Sequence, residues 1–444
     1  MLASAFEALT TKCRGHFEEG SFLRSVATLS SGSAAGNVIL LATTPVISRL
    51  YLPEAFGVFS VFLSIFSIAS VFATLNFQVA LPLPRRDGTA ANLLVGSFGV
   101  LGLFTLLTVI VVHALDSFAD RLTVYEQIKE YAAWLPIALA GAGANIILYY
   151  WLLRRRDYGS LAIIKVAQSS GMVVGQIAIG LINGSPLGLI VGHIFGQVLS
   201  AFAFAARIIK NDRHIFRHAR ISRASKILGC YREFSLQYTP GTLVSTLTLM
   251  LPVIILTAMF DVAVAGLYAF TTRALRGGLA LIVQSVTRVA YIRGVELRNA
   301  YKYEQLLRFY LKLCSRLSVI GIIPFAILFL AGEEIFSFVF GKEWSQAGVM
   351  AAYLVPGLFS FMVFDHSLNI FVIMGKQYTK LIWELSRFIL MGIVFVAGYF
   401  LKMDAMIVVF WLSVAQAATY GIVFALCIRI IRSARHQQDK GAKI

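Results

Sequence analysis

Charge is scarce in this chain. Charged residues make up only 14% of 444, against about a quarter in an ordinary soluble domain, which excludes one large soluble core. Apolar sequence takes their place. Hydrophobic residues reach 58% and mean hydropathy is +0.77, in runs of about 20 residues that each suffice to cross a bilayer. Cysteine is sparse as well. Cys13, Cys230, Cys314 and Cys427 have no metal-site spacing and fall at or near one side of the membrane, so neither disulfides nor a metal centre is expected. No cofactor is expected either. Long outer loops are missing: the longest, around Ala331–Gln346, has about 16 residues, too few for an external catalytic domain. Residues 1–22 mix Lys12, Arg14, His16, Glu18 and Glu19 without the apolar core of a signal peptide, and read as a short tail.

What is present is an all-α polytopic membrane protein with 12 expected spans: 24–48, 56–81, 91–115, 130–153, 160–182, 187–208, 235–260, 263–288, 311–331, 347–374, 378–401 and 404–428. Breakers such as Leu52-Pro53-Glu54, Pro84-Arg85-Arg86-Asp87-Gly88 and Asn183-Gly184-Ser185-Pro186 punctuate them. With both termini inside, about 28 of the 39 Lys+Arg fall in cytoplasmic segments and about 5 outside. The outer loops carry acids instead: Asp116, Asp120, Asp261, Glu333 and Glu334. The net charge of +17 is therefore a topology signal, and no nucleic-acid partner is expected.

The second half echoes the first. Residues 45–62 read PVISRLYLPEAFGVFSVF and residues 252–270 read PVIILTAMFDVAVAGLYAF. Both run Pro-Val-Ile, a short outer turn, then a glycine and an aromatic opening the next span. Six spans per half start both halves on one side, giving two six-helix lobes related by a pseudo-two-fold along the membrane normal. The expected division is a tail at 1–23, a first lobe at 24–208, a basic cytoplasmic linker at 209–234, a second lobe at 235–428 and a basic tail at 429–444. The linker alternates cations with apolar residues, as does a helix lying on an anionic inner leaflet.

Polar side chains inside spans belong where the helix faces protein or water. Span 1 carries Ser33, Asn37, Thr44 and Ser48; span 2 carries Ser60, Ser64, Ser67, Thr74 and Gln78; span 7 carries Ser235, Thr239, Thr242 and Thr246. Each stripe alone reads as close helix packing; three together favour a shared cavity wall. Arg49 at the outer mouth reads equally as its rim or as an interface anchor. Lys165 beside Gln168 reads as snorkelling to the inner interface, and Arg288, Arg316 and the Glu384/Arg387 pair as snorkelling or locally paired. His113 and His193 read as satisfied bundle histidines.

The strongest signal is TTRALRGGLA at 271–280. Arg273 and Arg276, three apart, share one side of span 8, with Arg273 about 14 Å from Val264 and near mid-bilayer. Guanidinium cannot shed its charge, and such a placement costs about 2.5–3.5 kcal/mol on insertion scales. Either an acid on another helix, such as Asp365, neutralises them, or they await an anionic ligand. Two cations against one candidate acid favour the ligand, and the bidentate fork points to phosphate or pyrophosphate. Asp365, His366 and Asn369 in span 10 read either as a proton or sodium relay or as that counter-charge.

SRLYLPEAFGVFS (48–60), GLYAFTTRAL (266–275) and PGLFSFMVFDHSLNIFVIMGKQ (356–377) resemble the polysaccharide transporter family (Wzx-type O-antigen flippases) of the multidrug/oligosaccharidyl-lipid/polysaccharide exporter superfamily. The resemblance runs over essentially the whole chain. It implies a two-lobed, 12-helix bundle in the bacterial cytoplasmic membrane. Its cationic central cavity would alternate access for an undecaprenyl-diphosphate-linked oligosaccharide of O-antigen, capsule or exopolysaccharide. Expected partners are that lipid-linked cargo, membrane lipids and a polysaccharide polymerase complex. Arg273 matches the family's cavity cation; Arg276 is added from spacing. The related lipid II flippases carry further cavity arginines in their first two helices, where this chain has only Arg24 and Arg49 at helix ends.

Two other classes stand against this one. A cation-coupled drug exporter calls for acidic cavity residues, and acids inside spans are scarce: away from span ends, Asp365 and Glu384. A membrane enzyme of polysaccharide assembly calls for clustered catalytic groups at one membrane face, which the sequence lacks.

Overall fold

The computed structural model describes residues 19–116, 123–216 and 221–441. Cys13, Asp120 and most of the expected N-terminal tail lie outside the described residues. Twelve long helical segments run through the described residues: α1 Glu19–Leu50, α2 Pro53–Thr74, α3 Asp87–Asp116, α4 Trp134–Arg154, α5 Tyr158–Gly180, α6 Pro186–Phe216, α7 Ile221–Met259, α8 Val262–Asn299, α9 Tyr303–Phe340, α10 Ser345–Phe364, α11 Gln377–Phe400 and α12 Ala405–Gly441. Ten are apolar enough to cross a membrane by composition alone; α1 and α8 are the other two, and α8 carries the paired arginines. The helices form two halves, α1–α6 and α7–α12, as the repeat implies.

The segment boundaries depart from the sequence reading in several places. Span 2 ends at Thr74 and gives way to a 3-10 turn at Phe77–Ala80. The expected outer loop 331–346 is mostly the end of α9, which runs to Phe340 past a kink at Ala331. Span 10, expected unbroken at 347–374, stops at Phe364, passes through a 3-10 turn at Asp365–Leu368 and resumes as a short helix at Asn369–Ile373. The expected inner loop 293–312 is helical, closed by a tight turn at 300–302. Arg293–Glu296 (2.8 Å) and Arg308–Glu304 (2.7 Å) pair along the helix surface there, stabilising turns that lie beyond the apolar stretch. The expected linker 209–234 is the continuation of α6 and α7, with 217–220 outside the described residues. Hydropathy locates the apolar part of a helix and says nothing about how far the helix continues.

The glycines of the sequence echo meet each other. A Cβ on Gly57 would lie 1.9 Å from the Val262 carbonyl oxygen, and one on Gly266 would lie 2.1 Å from that of Pro53. Each glycine opens its helix by the same offset, and each faces the first residue of the other's helix. Such reciprocity is the mark of a two-fold contact. Only a missing side chain lets two helices come this close.

Around that crossing the halves are joined without ion pairs. Phe56 packs edge-on against Phe270 (5.2 Å) and Trp344 (5.1 Å). Trp344 donates its indole N–H to the Ser48 carbonyl (2.8 Å), and the Ser48 hydroxyl donates to that of Phe340 (2.9 Å). This is the end that the charge distribution assigns to the outside; it is called the Pro53 end below.

The Arg154 end is held differently. Arg154 and Arg155 grip Asp87 at 2.6 and 3.2 Å, and Arg155 also reaches Asp212 at 3.1 Å. Asp212 is buried and accepts the indole N–H of Trp151 at 2.9 Å. Arg207 pairs with Asp157 at 2.8 Å. Partial burial works against the charged form of Asp157, but hydrogen bonds from Arg207 and Ser160 outweigh it and hold the carboxyl below its ordinary range.

Candidate functional site

Asp261 caps α8 by accepting the Val264 N–H (2.7 Å), which fixes the start of the helix and so the depth of everything on it. Arg273 and Arg276 then line a cavity of about 570 Å³ between the halves, with Phe56, Ser64, Ser67 and Phe361 among its walls. Arg273 is exposed to this internal space although it sits in mid-helix. Arg276 lies over the Phe361 ring, 4.8 Å from its centroid, a cation–π contact that holds a guanidinium without neutralising it. Among the described residues, neither arginine has a carboxylate within 4.0 Å, and no carboxylate lines the cavity.

A third guanidinium, Arg387 of α11, lines the same cavity. The sequence reading placed it near the inner interface with Glu384. The pair exists, but loosely, at 3.9 Å, and Arg387 also stacks 5.3 Å from the Trp383 ring centroid. No sequence signal located it, because which way α11 turns its face depends on the packing of α7, α11 and α12.

Asp365 accepts a hydrogen bond from the Tyr420 hydroxyl at 3.3 Å. It lines an adjoining chamber of about 290 Å³ shared with Arg276, Asn369, Lys380, Glu384 and Arg387. As a contact counter-charge for Arg273 or Arg276 it does not serve, since no ion pair joins them; it shares their space at a distance. Asn369 donates to the Thr287 carbonyl (3.0 Å), tying the break in α10 to α8. His366 turns the other way. It is buried, stacked on Tyr310 (5.6 Å between centroids) with the Cys314 sulfur 3.6 Å from Nε2, and lines none of these cavities.

The three polar stripes divide. Ser64 and Ser67 face the arginine cavity. Thr74, Gln78, Thr242 and Thr246 face a third chamber, about 670 Å³, between the N half and α7. Ser235 and Thr239 instead donate to the carbonyl of Leu75. Asn37 and Thr44 line none of the three; Thr44 bonds back to the Leu40 carbonyl at 2.7 Å. The face of α1 near Asn37 packs on α5, where a Cβ on Gly36 would lie 2.7 Å from Ser169 Oγ. Arg49 lies at the Pro53 end, exposed, with a long 3.4 Å bond to the Phe338 carbonyl. Lys165 does not snorkel away; it lines the third chamber beside Gln168.

The three chambers adjoin one another: Leu249 borders all of them. They stop at the Phe56–Phe270 plug on one side and reach Thr74, Asn76 and Gln78 on the other. The central space is thus closed toward the Pro53 end.

The fold is similar to that of solved transporters. The chain aligns with the lipid II flippase MurJ in an inward closed conformation at TM-score 0.72 and 14% identity, covering 92% of this chain and 89% of that one. An inward-facing multidrug resistance MATE family transporter of the MOP superfamily gives TM-score 0.71 at 16% identity, covering 93% and 99%. An outward-facing MATE structure gives 0.60 at 16% identity, with 93% and 96% covered. At these identities the likeness establishes the fold. Comparison with curated protein sequences gives no match. The sequence model for polysaccharide biosynthesis proteins matches residues 46–349. The chain is a multi-pass membrane protein with the twelve-helix fold of these transporters. It belongs to the polysaccharide biosynthesis protein family.

Proposed function

We propose that this protein is a flippase that moves an undecaprenyl-diphosphate-linked oligosaccharide from the inner to the outer leaflet of a bacterial cytoplasmic membrane. One observation carries the reading: Arg273, Arg276 and Arg387 line a cavity bordered by no carboxylate. Arg387 has only the loose Glu384 contact at 3.9 Å, and among the described residues Arg273 and Arg276 have no carboxylate within 4.0 Å, a costly arrangement between apolar helices unless an anion joins them. A diphosphate supplies the acceptor oxygens that guanidinium forks match. Replacing its lost hydration with these donors lowers the barrier to its crossing, while the polyprenyl tail stays in the bilayer.

In this reading both termini are cytoplasmic and the Pro53 end faces outward, so the described state is open to the side where the cargo is built. Rocking of the halves about the Gly57–Gly266 crossing would then alternate access. The protein acts as a transporter without covalent catalysis, and a polysaccharide polymerase is its expected downstream partner. The family and the MurJ-like fold support the reading at the level of lipid-linked saccharide assembly. A cation-coupled drug exporter is the alternative, and the acid-free wall of the main cavity argues against it.

The test is reconstitution in vesicles with a lipid-linked oligosaccharide, scored by outer-leaflet accessibility. Wild type is expected to transport, and Arg273→Ala and Arg276→Ala to lose at least about tenfold in rate while keeping wild-type thermal stability. Normal transport by both variants would remove the arginines from the mechanism.

A further inference from the structure

The third chamber differs in chemistry from the arginine cavity it adjoins. Four side chains from α4, α5 and α6 form one connected network on its wall. The Lys165 ammonium donates to Gln168 Oε1 at 2.9 Å, Gln168 Nε2 donates to Gln197 Oε1 at 2.7 Å, and Asn145 Nδ2 donates to the same oxygen at 3.1 Å. Phe66, Tyr149 and Phe204 supply apolar ring surface around it. No carboxylate lines the chamber, and among the described residues none lies within 4.0 Å of Lys165.

Guanidinium groups only donate, which suits phosphate oxygens that only accept. Carboxamides donate and accept from one planar group, which suits a sugar hydroxyl that does both. Aromatic faces suit the C–H faces of a sugar ring. Cross-linking of α4, α5 and α6 would by itself explain amide bonds in a sealed core. It does not explain why Lys165 and Gln197 are only half-buried, on the wall of a chamber of about 670 Å³. That volume is within the range of small-molecule sites. The two cavities share Ser67, Leu249 and Met250 as common wall, which sets the two sites side by side.

We infer that this chamber is the subsite for a sugar ring of the cargo, bound by the carboxamides of Gln168, Gln197 and Asn145, which Lys165 orients through Gln168, with the diphosphate on Arg273 and Arg276. The inference rests on the proposed function and adds the division of labour: the C half holds the phosphates and the N half reads the glycan.

The test uses the full-length protein in nanodiscs and measures Kd for undecaprenyl diphosphate without sugar and for the same lipid bearing glucose, galactose or N-acetylglucosamine. Wild type is expected to bind at least one glycosylated probe about tenfold more tightly than the bare lipid. Lys165→Met and Gln197→Leu are expected to remove that increment while the bare lipid stays within about twofold of wild type. Arg273→Ala is expected to weaken every probe alike. Thermal unfolding identifies any variant that fails to fold; Tyr149→Ala, at the aromatic wall, then replaces it and is expected to lose part of the increment. Equal binding of bare and glycosylated lipids by wild type, or an increment that survives Lys165→Met, overturns the subsite and leaves the diphosphate reading standing. Failure of wild type to bind the bare lipid overturns the diphosphate reading and this inference with it.

Discussion

The two ends of this molecule are held by different forces. At the Pro53 end the halves meet through bare backbone, aromatic edges and neutral hydrogen bonds: Gly57 against Val262, Phe56 against Trp344, Ser48 against Phe340. At the Arg154 end the strong bonds are ionic, and they run within the N half: Arg154 and Arg155 to Asp87, Arg155 to Asp212, Arg207 to Asp157. Of these carboxylates Asp212 is buried, so its pairs are the costly ones to break, while the part-exposed Asp87 and Asp157 pairs are worth about 1 kcal/mol or less each. Parting two neutral surfaces costs less and can be reversed in each cycle. The N half is thus braced internally by charge, and the two halves are joined at the Pro53 end by neutral contacts that can open.

The largest effect is expected where the contrast is sharpest. Gly266→Val would drive side-chain carbons into the Pro53 carbonyl, where even a Cβ comes within 2.1 Å. The Pro53 end would be wedged open. A cysteine placed at Ser64 should then react with an impermeant maleimide from outside, where the parent protein is protected. If labelling is unchanged, the crossing is not the seal. Next comes Asp212→Ala, which strips Trp151 and Arg155 of their shared acceptor. A loss of about 2 kcal/mol in unfolding free energy is expected, with the transport cycle of the folded fraction unaltered. A transport defect without destabilisation would show that the Arg154 end moves as well.

Smaller changes refine the picture. Trp344→Phe keeps the aromatic packing and removes the N–H donated to Ser48, so about 1 kcal/mol is expected, seen as easier opening of the Pro53 end. Arg49→Ala removes one long, exposed bond to Phe338 and is expected to stay within about 0.5 kcal/mol of wild type in thermal unfolding. The smallest effect concerns pH. Because the folded protein holds the Asp157 carboxyl below its ordinary range, the stability this residue contributes is fully present above the unfolded value of about 3.9 and fades as pH falls through the lower folded value. Thermal unfolding of wild type and Asp157→Asn should therefore differ by a constant amount from pH 5 to 8 and converge only in stronger acid.

Much of this architecture could be read from residues alone. Apolar runs set the number of crossings, lysine and arginine bias gave an expected orientation, and the Pro-Val-Ile echo announced the two-fold that Gly57 and Gly266 form. Arg273 and Arg276 stood out because a permanent charge in an apolar run has no ordinary explanation. Arg387, Lys165, Gln197 and Asn145 did not stand out, since each has a bland reading as an interface or packing residue. His366 was read beside Asp365, yet the 3-10 turn at Asp365–Leu368 sends the two side chains to different surroundings. Sequence by itself determined what must be buried in lipid and which charges need an explanation, because hydrophobicity and guanidinium charge are properties of single residues. Tertiary structure alone decided which polar side chains share a chamber and which seal a seam, because the rotation of each helix is set by the neighbours it packs against.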